Sequence, residues 1–234
     1  MNHLKDINSK LRQNSFKFLE FAIKNGVLNF GSYKTKANRH SPYFFNTGKF
    51  SQGNLLKEVG IFFANQILTI EKNLKIKIDC IFGPAYKGIP LVSSISIALS
   101  NYERNINFAF NRKEQKEHGE KGVIVGELKN KNILIIDDVI SAGLSTYESI
   151  KIIKENGGVT LGVLVALDRQ EISNSTDAMN YKCTSSEIVT KEKIPVFSIS
   201  NIHDLIFLLE YKKQNTDNLK FYLQKWGNFN QESN

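Results

Sequence analysis

The sequence predicts an α/β fold: a parallel sheet covered by helices on both faces, with a small antiparallel unit near the amino terminus. Three observations carry this. Residues 133–136 (ILII) are apolar without alternation, which fits a strand buried on both faces rather than one with a wet side. Strand-like and helix-like segments then take turns along most of the chain, the order that builds βαβ units. Finally, residues 27–50 (VLNFGSYKTKANRHSPYFFNTGKF) mix aromatics with Gly, Asn and Pro, as short strands joined by turns do.

Taken in order, residues 4–25 carry apolar side chains at 4, 7, 11, 18, 19, 22 and 23, close to helical spacing, and Gly26 provides a stop. After the antiparallel unit, helical spacing returns over 55–70. Residues 76–82 read as a strand ending in GPAYKG (83–88), and a helix follows over about 87–101. A strand at 107–110 leads into RKEQKEHGEKG (112–122), which is too charged for core. The strand that begins at Ile133 is followed by a helix over about 145–156, closed by Gly157 and Gly158, and by a strand over 160–167. Residues 171–193 are polar and weakly periodic and read as an excursion from the core. A short strand at 196–199 precedes helical patterns near 201–211 and 218–226. With no internal repeat or low-complexity linker, 234 residues and 41% hydrophobic content predict one domain with one substantial core.

Composition also excludes. No run approaches about 18 uninterrupted apolar residues, so no membrane span is expected. Charges run through the first 26 residues, which lack the apolar core of a signal peptide. Two cysteines, Cys80 and Cys183, are too few and too distant in sequence for a disulfide framework or a zinc site, so the cytoplasm is the expected location. A net charge of +8 invites a nucleic-acid partner, but the lysines are dispersed and no basic helix, RNP motif or finger spacing accompanies them. A phosphorylated small molecule accounts for local positive clusters equally well.

The chemistry concentrates in ILIIDDVISAGLS (133–145). Asp137 and Asp138 fall at the carboxyl edge of the strand, where open α/β sheets place their ligands. The small, glycine-bearing loop that follows opens a helix, whose first N–H groups point outward and suit a phosphate monoester. An isolated Asp-Asp is most simply an acidic strand end facing water. Here apolar strand, acid pair, hydroxyl-Ala-Gly loop and helix come in one order, and no Walker A pattern competes. The run resembles the phosphoribosyl-pyrophosphate (PRPP) signature of the type I phosphoribosyltransferases. The resemblance implies that Asp137 and Asp138 hold the ribose hydroxyls and that Val139, Ile140, Ser141, Ala142, Gly143, Leu144 and Ser145 wrap the 5′-phosphate.

Alone, RKEQKEHGEKG is a solvated charge run. Placed after a strand and before the acid pair, with Gly119 and Gly122 to bend it, it can close over a pyrophosphate and exclude water. FNRKEQKEHGEKG resembles the catalytic loop of the orotate phosphoribosyltransferases. That resemblance implies PRPP or pyrophosphate contacts from Arg112, Lys113, Lys116 and His118, with Lys116 stabilising the transition state and His118 beside it. It also implies a homodimer whose loops reach the neighbouring subunit's site. GPAYKG matches a pyrophosphate-binding turn of the same family, acting through Tyr86 and Lys87, often with a cis peptide before the tyrosine.

KANRHSPYFFNTG resembles the family's orotate-binding hood, expected here from residues 27–50 together with 196–211. Lys36 is expected to reach substrate and PRPP, Phe44 and Phe45 to cover the pyrimidine, and Ser141 to lie by the base as well. Arg169, in LDRQE, matches the arginine that pairs with orotate's carboxylate, an arrangement that allows two parallel charge-assisted hydrogen bonds. Mg²⁺, held mainly by PRPP and water near Asp137 and Asp138, is the implied cofactor. Ser141 keeps the hydroxyl of the threonine common in the family, whereas Leu144 replaces a small or hydroxyl residue and can offer only its N–H. A purine phosphoribosyltransferase would share the acid-pair strand without needing the hood, the loop and Arg169 together. A PRPP-sensing regulator that binds nucleic acid would tolerate loss of the loop.

Overall fold

A computed structural model of the chain describes residues 2–35, 38–116, 122–140, 143–172 and 183–227. Helix α1 (Asn2–Lys24) precedes a hairpin of β1 (Leu28–Lys34) and β2 (His40–Phe45), and a single 3₁₀ turn (Thr47–Lys49) leads into α2 (Gly53–Leu74). The core then runs β3 (Cys80–Gly83), α3 (Gly88–Ser100), β4 (Asn107–Lys116), β5 (Gly122–Val125), β6 (Asn132–Ile140), α4 (Leu144–Glu155) and β7 (Val159–Asp168). It closes with α5 (Thr184–Glu192), β8 (Val196–Asn201), α6 (Ile202–Tyr211) and α7 (Asp217–Trp226).

The main sheet has the order β5-β4-β3-β6-β7-β8, parallel throughout except for the β4–β5 edge pair. Its central strands are apolar on both sides because helices cover both. Along β6, Leu134 and Ile136 join a core built with α1, α2, α3, α6 and α7. Ile133 and Ile135 join a second core containing Ile153 of α4 and Ile188 of α5. The two-residue period of a strand thus divides one run of apolar side chains between two cores.

Four differences from the sequence reading have physical causes. The charged segment after Phe110 continues as strand through Lys116 and pairs back with β5, because a hairpin at the sheet edge can extend past the core and keep its charges wet. Residues 196–201, expected to join the 27–50 unit, do not pair with it: β8 pairs in parallel with β7 and completes the main sheet, while β1 and β2 form a separate two-stranded sheet flanked by α1 and α7. Strand β6 outlasts the acid pair by two residues, since β7 runs equally far and pairs Val139 with Leu167 and Ile140 with Asp168. Within 171–193, Thr184–Glu192 is a helix, signalled in sequence by little more than Ile188.

The turn that joins β3 to α3 is compressed. A methyl added at Gly88 would lie 2.6 Å from the carbonyl carbon of Gly83 and 2.7 Å from its Cα, so backbone passes against backbone. Gly88→Ala is expected to destabilise the fold by about 1–3 kcal/mol through overpacking, measured by denaturant unfolding. A change within a few tenths of a kcal/mol would mean that the turn relaxes freely.

Candidate active site

Asp137 and Asp138 are both buried near the carboxyl end of β6, and their neighbours differ because the strand turns them to opposite faces. On the α4 side, Asp137 Oδ2 accepts from Ser145 Oγ at 2.9 Å and Oδ1 accepts from the Asp138 N–H at 2.8 Å. On the hairpin side, Asp138 Oδ2 accepts from Lys87 Nζ at 2.9 Å and from Thr47 Oγ1 at 2.6 Å, while Oδ1 accepts from the Val139 N–H at 2.9 Å. Burial, and then the charge of Asp138, push Asp137 up to about 7.

Gly143 ends the loop with φ +74°, a conformation suited to glycine, and a methyl there would lie 2.9 Å from Thr184 Cγ2. Among the described residues no side chain caps α4, so its first-turn N–H groups keep their donor capacity there. Leu144 is 77% exposed and offers backbone only. Val139 and Ile140, expected in the phosphate loop, belong instead to the paired strand, and the Ile140 side chain is core. Ser141 and Ala142 lie outside the described residues, as do Lys36 and His118.

The GPAYKG turn projects Tyr86, 64% exposed, after a cis Ala85–Tyr86 peptide, and the Asn111 side chain accepts the Ala85 N–H at 2.9 Å. Lys113 Nζ stands 5.1 Å from the Tyr86 ring centroid, so the base of the charged hairpin meets the turn of its own chain. Arg112 is half-buried. Lys116 closes β4 opposite Gly122, and nothing described extends to its side chain.

At the hood end, Phe44 is exposed and stacks on Tyr33 at 5.4 Å, available to a planar ligand. Phe45 is not: it is buried against Phe18, because strand alternation gives adjacent phenylalanines opposite faces. It can serve a ligand only through its backbone. Arg169 is buried. Its Nε donates to Glu171 Oε1 at 2.7 Å, Nη2 donates to Ser41 Oγ at 2.9 Å, and the guanidinium lies 4.3 Å over the Tyr43 ring. Nη2 also meets Glu171 Oε1 at 2.6 Å. The Nε–Nη2 edge is therefore occupied by partners within the chain. Nη1 donates no hydrogen bond among the described residues and is the nitrogen left for a ligand.

Thr47, Asn111, Ser41, Glu171 and Tyr222 are thus parts of the site that sequence reasoning missed. Ser41 and Thr47 lie inside KANRHSPYFFNTG, Asn111 inside FNRKEQKEHGEKG and Glu171 inside LDRQE, so each stood within a quoted motif, whereas no motif pointed to Tyr222.

The family model of the phosphoribosyl transferase domain matches residues 51–199. An orotate phosphoribosyltransferase from Nitrosomonas europaea is 48% identical over 198 residues, 85% of this chain and 83% of its own length. The one from Ralstonia nicotianae is 44% identical over 204 residues, 87% of each chain. The chain belongs to the orotate phosphoribosyltransferase family. The crystal structure of the Francisella tularensis member agrees in fold, with a TM-score of 0.77 at 37% identity, covering 91% of this chain and all of that one. The family match spans the acid pair, GPAYKG and the charged hairpin, while the β1–β2 hairpin and α7 lie outside it.

The upward shift of Asp137 fixes the sign of a pH effect. Between about pH 4 and 7 the folded chain keeps a proton that the unfolded chain has released, so this group's contribution to stability falls as pH rises through that window. Asp137→Asn, which never ionises, is expected to gain in melting temperature relative to the parent as pH rises across that range. Thermal unfolding of both at a series of pH values checks this, and a constant or shrinking difference would contradict it.

Proposed function

We propose that the chain transfers the ribose 5-phosphate group of PRPP to orotate, giving orotidine 5′-monophosphate and pyrophosphate, as a cytoplasmic step of de novo pyrimidine (UMP) biosynthesis. The observation that carries the reading is the buried Asp137–Asp138 pair, set between the Lys87 ammonium and the amino terminus of α4, which no described side chain caps. A dianionic phosphate suits that terminus, a diol suits the carboxylates, and pyrophosphate suits Tyr86, Lys87 and the cations of the hairpin.

At C1′ the bond to pyrophosphate breaks and a bond to an orotate nitrogen forms, with positive charge on the ribose between the two. Asp137 and Asp138 orient the diol and stabilise that charge. Burial of Asp137 disfavours its anion until a cation develops beside it, so the interaction is stronger in the transition state than before it. Lys87 has two successive partners: Asp138 without ligand, and the pyrophosphate once the ribose hydroxyls take the carboxylate. Two adjacent carboxylates with no third His, Cys, Asp or Glu to complete a metal cluster among the described residues suit Mg²⁺ that draws most of its shell from PRPP and water. When bound, the ion would neutralise charge on the pyrophosphate. Lys116 and His118 close over the leaving group from the neighbouring subunit of a homodimer. Lys36, Ser141, Phe44, the Phe45 backbone and Arg169 receive orotate.

Consumption of orotate that depends on PRPP, with adenine, hypoxanthine and uracil as controls, tests the assignment. Arg169→Lys keeps a cation for Glu171 but removes Nη1, and should raise the KM for orotate by roughly 10- to 100-fold, the equivalent of one charged hydrogen bond, while the KM for PRPP holds. Equal loss for both substrates would make Arg169 structural.

Lys116→Ala should lower kcat far more than it raises the KM for orotate. In mixed dimers with an Asp137→Asn, Asp138→Asn subunit, one composite site retains both functional halves and activity should partly return. Verified heterodimers without recovery would assign each loop to its own subunit.

A further inference from the structure

The segment beyond α6 is fastened to the orotate end of the site. Tyr222 of α7, 5% exposed, donates its O–H to Glu171 Oε1 at 2.7 Å, the same oxygen that receives Arg169 Nε at 2.7 Å. The other oxygen of Glu171 lies 3.7 Å from Arg39 Nη1, and the Arg39 guanidinium sits 4.9 Å from the Trp226 ring centroid. Backbone joins the same two segments: the Ile172 N–H donates to the Trp226 carbonyl at 2.8 Å, and Glu171 bridges Gly227 in antiparallel fashion. Arg169, Glu171, Arg39 and Tyr222 are all less than a tenth exposed.

We propose that α7 is a working part of base recognition, with Tyr222 and Glu171 as positioning residues that fix the Arg169 guanidinium and leave Nη1 as its donor to the substrate carboxylate. The proposal rests on the assignment of Arg169 to orotate made above. A guanidinium is planar, so bonds on Nε and Nη2 set both its plane and its rotation, and with them the direction of Nη1. Glu171 sets that plane only if it is itself held. Ser41 holds the guanidinium from β2, and Tyr222 holds the carboxylate from α7. Burial, then the charge of Glu171, push the Tyr222 phenol up to about 12, so it remains a donor throughout the range in which the enzyme would be assayed. A mere strut could be any packed side chain. This one places its hydroxyl on the oxygen that orients the arginine.

The test uses the full-length chain, with KM and kcat measured for orotate and PRPP in the parent, Tyr222→Phe, Glu171→Gln, Arg169→Lys and Arg169→Lys/Tyr222→Phe, each checked for folding by thermal unfolding. Tyr222→Phe should raise the KM for orotate roughly 3- to 10-fold and leave the KM for PRPP unchanged, and Glu171→Gln should do the same or more. In the Arg169→Lys background, Tyr222→Phe should add less than about a twofold change, because its effect runs through the group already lost. Full additivity, parallel shifts in both KM values, or an unchanged orotate KM would each overturn the proposal. Should Glu171→Gln fail to fold, Tyr222→Phe, which removes one oxygen and keeps the ring, decides the matter. A folded parent that consumes no orotate with PRPP would instead overturn the substrate assignment, and this proposal with it.

Discussion

Keeping two adjacent carboxylates out of water is the constraint that organises the rest of this structure. A buried carboxylate without partners costs several kcal/mol, and two neighbours repel each other besides. Because Asp137 and Asp138 follow each other along a strand, each finds its partners on a different face of the sheet, from a different element. Asp138 obtains a cation from the β3–α3 turn and a hydroxyl from the 3₁₀ turn after the hairpin. Asp137 obtains a hydroxyl from the first turn of α4 and one backbone N–H. Burial raises Asp137, which has no cation in hydrogen-bond reach among the described residues. Two like groups in unlike surroundings can then take unlike roles.

The same partners couple parts of the chain that topology keeps apart. Asn46 caps the Gly48 N–H, which fixes the turn carrying Thr47, and Thr47 then binds a carboxylate 91 residues away. The hairpin is in this way tied to the sheet at the acid pair. The close passage of Gly83 and Gly88 and the Asn111 side chain do the same for the GPAYKG turn. Positions that must hold a reacting ligand to within a fraction of an ångström are thus set by backbone contact and buried hydrogen bonds rather than by exposed side chains.

What was legible in the sequence was what local periodicity encodes. The apolar run of β6 and the helical spacing of α1, α2 and α3 each state their burial within one window, and the acid pair and its glycine loop are contiguous. Long-range partnerships were not legible. Gly122–Val125 is four residues whose identity as β5 comes from pairing with β4, a register that no local pattern carries. Alternation separates Phe44 from Phe45 but does not say which one faces inward; the contact of Phe45 with Phe18 decides that. The burial of Arg169 was hidden for the same reason, since its partners Ser41 and Tyr222 lie 128 and 53 residues away.

Those distant partners also bear on why charge is buried there at all. A buried ion pair contributes little net stability compared with apolar groups of the same shape, so the Arg169–Glu171 pair is poorly explained as reinforcement of a core that is otherwise apolar. Its effect is on geometry. Of the five N–H groups of the guanidinium, the one on Nε and those on Nη2 are directed at Glu171, Ser41 and Tyr222, and the pair on Nη1 is not. An arginine free on the surface would lose side-chain entropy each time it closed on a ligand. One locked from two sides by β2 and α7 has lost that freedom on folding.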